Sequence, residues 1–234
     1  MRIDKFLTTV GAASRSEAAK AAKRGEILVN GQVVKKPDVH IDPERDEVIF
    51  RGEVLTYKRF VYVMLNKPDG YVSATDDPRE KTVLELLPEK YQRLGLFPCG
   101  RLDKNTLGLL ILTNNGEGAH RVLSPKRHVS KVYRYECADP LTDDDISRLS
   151  NGITLDDGYV TKDAVIKADQ GGMSGEITLT EGKYHQIKRM FAAVDNKITY
   201  LERIRFGSIA LDPALERGEW RELKDEEAAL FENT

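Results

Sequence analysis

Residues 100–108 read Gly-Arg-Leu-Asp-Lys-Asn-Thr-Leu-Gly, and an apolar run, Leu109-Leu110-Ile111-Leu112, follows at once. A polar loop between glycines that feeds a buried strand sets Asp103 at the strand's lip. Partial loss of water there makes a carboxylate more reactive than it is in bulk solvent. The competing reading is an ordinary Asx turn, with the Asp103 side chain bonded to its own backbone two residues on. Metal chemistry finds less support. Cys99 and Cys137 stand outside any CxxC or HxxH spacing, and His185 has no partner histidine. The stretch 139–163 sets seven Asp against Arg148 and Lys162. That stretch and the Glu-rich end from Glu216 read as solvated faces, because no spacing in them predicts convergent carboxylates.

The elements that must position Asp103 begin at Phe60. Short β-rich stretches at 60–65, 109–113, 131–137, 164–168, 176–180 and 198–203 alternate with helical patterns near 82–87, 142–150 and 184–194. Gly, Asn, Asp and Pro separate them, and a second Asn-Gly turn is expected at Asn115-Gly116. Such interleaving predicts an α+β domain over residues 60–234. Residues 51–59 are polar and aperiodic, and read as a linker.

Residues 1–50 form a separate pattern. Ile3, Phe6, Leu7 and Val10 fall on one helical stripe that Gly11 ends. Ser14 and Glu17 have capping-box spacing ahead of an alanine-rich helix that runs to Gly25. The β-rich runs 27–29 and 32–34 flank Asn30-Gly31, a pair suited to a type I′ hairpin turn, and Val48-Ile49-Phe50 can extend that sheet.

Over the whole chain 36 Lys and Arg face 38 Asp and Glu, a net charge of −2. The distribution is uneven. Eight basic residues against three acidic ones in residues 1–36 give a local excess of five positive charges, leaving −7 for the rest. Arg2, Lys5, Arg15, Lys20, Lys23 and Arg24 cluster near the two helices, a candidate footprint for nucleic acid. Solvation of a small helical domain is the plainer fate of such charges, but here element order and clustering agree. Two short helices followed by a hairpin, with these basic residues, resemble the S4 RNA-binding module.

The remaining motifs also carry a resemblance. Gly-Arg-Leu-Asp-x-x-Thr-x-Gly-Leu-Leu at 100–110 closely resembles the active-site motif of the pseudouridine synthases. Asn66-Lys67-Pro68-Asp69-Gly70 is similar to the upstream Lys-Pro-x-Gly motif of that family. Lys131-Val132-Tyr133 resembles the segment with the active-site tyrosine, and Glu181 to Met190 the segment with the basic active-site residue. An S4 module joined to a short catalytic domain is most similar to the bacterial RsuA type, which acts on small-subunit (16S) ribosomal RNA. Relatives of the same layout act on large-subunit RNA.

The resemblance implies a mainly antiparallel catalytic sheet with a central cleft, no cofactor, and uridine isomerisation with Asp103 as the catalytic group. It also implies that Arg101 enters the gap left when the target nucleotide leaves its stack. Tyr133 then offers a flat face to the flipped base, and Lys188 pairs with Asp103 and keeps it ionised. Lys67 and Arg189 are expected on RNA. A non-catalytic RNA-binding or ribosome-assembly protein and an RNA glycosidase that releases free uracil are the competing functions.

No run approaches the eighteen or so apolar residues of a membrane span, and the first residues lack the apolar core of a leader. With no disulfide framework in prospect, a reducing cytoplasm is expected; the chain is also expected to be a monomer.

Overall fold

The structure, a computed structural model, describes residues 1–124, 127 and 129–232. The chain divides into two compact units, one of residues 1–61 with 87–96, the other of 62–86 with 97–234.

In the first unit, helices α1 (Ile3–Thr9) and α2 (Arg15–Arg24) precede a four-stranded antiparallel sheet. Its strands are β1 (Ile27–Val29), β2 (Gln32–Val33), β3 (Val48–Phe50) and β4 (Glu53–Leu55), in the order β2-β1-β3-β4. The apolar stripe of α1 is its buried face: Ile3, Phe6 and Leu7 pack with Ala18, Ala22, Ile27 and Val48. Both halves of the capping box form. Ser14 N donates to Glu17 Oε2 at 2.8 Å, and Glu17 N donates to Ser14 Oγ at 3.3 Å. Asn30 and Gly31 turn with φ of 50° and 76°, as a type I′ hairpin requires.

Arg51-Gly52 repeats that geometry, with φ of 50° and 85°, and lays β4 on β3. The linker expected at 51–59 is therefore in part a strand. The aperiodic side chains hid it because an arginine occupies the left-handed turn position where Asn is usual. Helix α3 (Glu89–Gln92) also belongs to this unit, far from it in sequence. Arg93, just after α3, ion-pairs with Glu17 at 3.4 Å.

The second unit is built on a mixed sheet. Its strands are β5 (Tyr62–Lys67), β6 (Phe97–Pro98), β7 (Leu107–Thr113), β8 (Lys131–Cys137), β9 (Val165–Ala168), β10 (Ser174–Leu179), β11 (Ile198–Phe206), β12 (Ile209–Ala210) and β13 (Trp220–Glu222). The order β13-β5-β7-β11-β8-β10-β9 is antiparallel except at β7–β11, which is parallel, with β6 and β12 paired off this path. The central strands β5 and β7 are buried almost throughout and read as continuous apolar runs, whereas β8 and β10 alternate, as half-covered strands do.

The helices of this unit are α4 (Gly116–Leu123), α5 (Asp143–Ser150), α6 (Gln186–Ala192) and α7 (Asp225–Glu232). The pattern at 82–87 forms a single 3-10 turn, Val83–Leu86. Asn115-Gly116 is not a hairpin turn. Asn115 Oδ1 accepts from Gly118 N at 2.9 Å and caps α4, while its amide donates to the Tyr62 hydroxyl at 2.8 Å. Nor is the Glu-rich end merely solvated. Glu227 chelates Arg221 at 2.7 and 2.8 Å, and Phe231 is fully buried, stacked on Tyr62 with centroids 4.9 Å apart. The run of acidic residues at the start of α7 hid Phe231 as its one buried anchor.

Candidate active site

The loop 100–106 leaves β6 and enters β7. Ser73 pins it from one side: its hydroxyl donates to Leu102 O at 2.9 Å and accepts from Leu102 N at 3.0 Å. Lys67 pins it from the other. The Lys67 side chain is fully buried, and its ammonium donates to the carbonyls of Pro68, Lys104 and Thr106 at 3.1, 2.9 and 2.9 Å. Burial lowers this ammonium to about 8, against the opposing pull of Asp69 and Asp103. The expectation that Lys67 reaches RNA is thus corrected. A lysine at the end of a central strand, with three backbone carbonyls converging on it, serves them instead.

Thr106 N donates to Asp103 O at 3.0 Å, so the backbone closes this turn itself. That frees the carboxylate. Asp103 Oδ2 accepts from Lys188 Nζ at 2.8 Å, and the two side chains are about one quarter exposed, at 26% and 25%. The Asx-turn alternative gives way to this contact. Lys188 Nζ also donates to Asn105 Oδ1 at 2.6 Å, so two loop residues hold the ammonium over Asp103. The pair meets because α6 runs up beside the loop, with Lys188 on its third residue.

The entry to α6 is tightly tied. Glu181 accepts from Tyr159 Oη at 2.6 Å, from Lys162 N at 3.0 Å and from Gln186 Nε2 at 2.6 Å. His185 precedes the helix with φ of 48° and stacks on Tyr184, centroids 3.8 Å apart. This strained entry brings His185 Nε2 to 3.5 Å from Asp103 Oδ1. Its sequence gave no sign of that proximity, since a left-handed His is not written into the local pattern.

Asp103 opens into two adjoining cavities, of about 80 and 700 Å3, both also lined by Arg101, Tyr133, Lys183 and His185. The larger is of the size that receives a small organic group. Tyr133 is nearly buried on β8, and Arg101 is exposed at the cavity mouth. The fold therefore gathers Arg101, Asp103, Tyr133 and Lys188 in one place. Arg189 lies apart from them. Its guanidinium is held by Asp156 and Asp157, the latter at 2.7 Å, with only 17% of the side chain exposed. In place of the expected RNA contact the structure shows a surface ion pair, with two solvated aspartates of the acidic stretch as partners.

In the first unit Arg2, Lys5, Arg15, Lys20, Lys23 and Arg24 are all exposed. Arg2 pairs with Asp4 at 2.8 Å and Arg24 with Glu26 at 3.7 Å, while Lys5, Arg15, Lys20 and Lys23 have no ion-pair partner among the described residues.

A unit with exposed basic residues and a unit with a carboxylate paired to an ammonium in a cleft are the parts of an enzyme that acts on a polyanion. The chain belongs to the RNA pseudouridylate synthase family, whose model matches residues 61–193, and an S4 domain matches residues 1–48. It is 45% identical to an uncharacterized RNA pseudouridine synthase of Bacillus subtilis (strain 168), over 99% of this chain and 98% of that one. It is 39% identical to ribosomal small subunit pseudouridine synthase A of Escherichia coli (strain K12), over 98% and 99%. A crystal structure of a pseudouridylate synthase superposes with a TM-score of 0.69 at 38% identity, covering 99% of both chains.

Proposed function

We propose that this protein converts one uridine of small-subunit (16S) ribosomal RNA to pseudouridine. The observation that carries the reading is the Asp103 carboxylate, held 2.8 Å from Lys188 in a cavity that Tyr133 and Arg101 also line. The likeness to small-subunit synthases over nearly the whole chain supports the choice of RNA.

The reaction breaks the N1–C1′ bond, turns the detached uracil and rejoins it through C5; C5 gives up one proton to water and N1 takes one up, so the product is an isomer with no net gain or loss of atoms. Positive charge develops at the sugar as the bond breaks, and the Asp103 carboxylate stabilises it, attacks C1′ or removes a sugar proton. Lys188 keeps Asp103 ionised and oriented. Tyr133 stacks on the everted base, and Arg101 fills the vacated position in the RNA, offsetting an unstacking cost of roughly a few kcal/mol. Lys5, Arg15, Lys20 and Lys23 deliver the RNA by phosphate contacts, in the cytoplasm where ribosomes assemble.

RNA labelled with 5-tritiated uridine tests the proposal. Isomerisation sends tritium to water, glycosidic cleavage leaves it on released uracil, and a binding protein leaves it in place. Loss of one pseudouridine from 16S RNA in a strain lacking the gene locates the site. A large-subunit loss, or none, overturns the assignment.

A further inference from the structure

On the face of β8 and β11 that carries Tyr133, two cations lie buried without an acidic partner. Lys131 lies two residues before Tyr133 along β8, and Arg203 sits opposite Tyr133 on β11, so all three side chains share one face of the sheet. Lys131 is 8% exposed and Arg203 is 2% exposed. Both lie over the Phe206 ring, 5.8 Å (Nζ) and 5.4 Å (Cζ) from its centroid.

Their hydrogen bonding is incomplete. Lys131 Nζ donates to Val129 O at 2.9 Å, and Arg203 Nε donates to Leu109 O at 2.8 Å, but Arg203 Nη2 is buried with no partner. No carboxylate lies within ion-pair distance of either among the described residues. Burial, and then the charge of Arg203, lower the Lys131 ammonium from its ordinary value. Neighbouring buried cations with a spare N–H are costly in the free protein, and a buried charge is ordinarily matched by one of opposite sign.

Both residues line the 700 Å3 cavity that contains Asp103 and Tyr133. We propose that Lys131 and Arg203 form a seat for a backbone phosphodiester of the RNA substrate, beside the everted nucleotide. The proposal rests on the isomerase reading for its ligand and adds an anchoring site to it. Arg203 turns its unpartnered Nη2 toward the cavity to donate to a phosphate oxygen, and Lys131 supplies the second charge. The seat fixes the sugar's position over Asp103, because a held phosphate leaves the ribose few rotations.

The test uses the full chain, with Lys131→Met to remove the charge at similar volume and Lys131→Arg to restore it. Binding of transcribed 16S RNA is measured against salt concentration. Removal of one phosphate contact makes the slope of log affinity against log salt shallower by about 0.7 and weakens binding on the order of tenfold at low salt. Lys131→Arg recovers most of the slope. Inorganic phosphate raises the unfolding midpoint of the wild type and leaves that of Lys131→Met unmoved.

An unchanged slope in Lys131→Met overturns the seat. So does a phosphate response with no change in slope, which assigns the site to free phosphate instead. Folding of the variant is read from its own unfolding midpoint, and if Lys131→Met does not fold, Lys131→Gln takes its place under the same criteria. Tritium release by the wild type is scored separately: a wild type that releases none removes the isomerase reading, while the salt slope still judges the seat.

Discussion

Lys188 Nζ stands 2.8 Å from Asp103 Oδ2 and 2.6 Å from Asn105 Oδ1, so one ammonium bridges two residues of the same loop. A charge-assisted hydrogen bond of this kind contributes about 1.5–3 kcal/mol. Lys188→Met therefore lowers kcat by about 10- to 150-fold, whereas Lys188→Arg, which keeps charge and donors, loses far less. Single-turnover tritium release compares the two. Equal losses in both variants contradict an electrostatic role.

The Lys67 ammonium, lowered by burial to about 8, implies opposite pH trends for activity and stability. Above that value the three carbonyls of the catalytic loop lose a charged donor, so activity falls as pH rises through about 8. Stability moves the other way. Unfolded, the lysine titrates near 10.4, so between the two values the unfolded chain binds more protons than the folded one. This group's contribution to stability therefore rises across that window, by about 3 kcal/mol in all. Urea unfolding at about pH 7 and about pH 10, in the wild type and in Lys67→Met, measures the difference that belongs to this group.

Gly108 permits a close approach of two strands beside the site. It has φ of 92°, and a Cβ there would lie 2.4 Å from Arg203 O and 2.8 Å from Glu202 Cγ, across the parallel β7–β11 pairing. Gly108→Ala should cost about 2 kcal/mol or more, from the strained φ and the forced separation of two strands. Equilibrium denaturation gives the number, and a wild-type midpoint would refute the account.

Phe231 ties the C-terminal helix to β5 through Tyr62. Phe231→Ala is expected to cost about 3–5 kcal/mol, whereas Glu226→Ala, on the exposed side of α7, changes stability by less than about 0.5 kcal/mol. Thermal or chemical unfolding of the two variants distinguishes a docked helix from a solvated tail.

Much of the fold was legible in local chemistry. The α1 stripe, the Ser14–Glu17 box and the Asn30-Gly31 turn each specify their element within a few residues, and each formed. Strand β4 and helix α7 were not, because Arg51 stands at a left-handed turn position and acidic residues crowd the start of α7. Asn115 shows the same limit differently: Asn-Gly suits both a turn and a helix cap, and only Tyr62 and Gly118, brought up by the fold, select the cap.

The sequence by itself determined most of the elements, the family they belong to, and that Asp103 and Lys188 carry complementary charge in ordered motifs. Tertiary structure alone decided what each cation does. Lys67, Lys188 and Arg189 look interchangeable as letters, yet the first is buried on three carbonyls, the second meets Asp103, and the third is taken by Asp156 and Asp157. A lysine or arginine has a long side chain and no directional preference of its own. Its role is set by which acceptors lie within reach, and most of those come from segments tens of residues away.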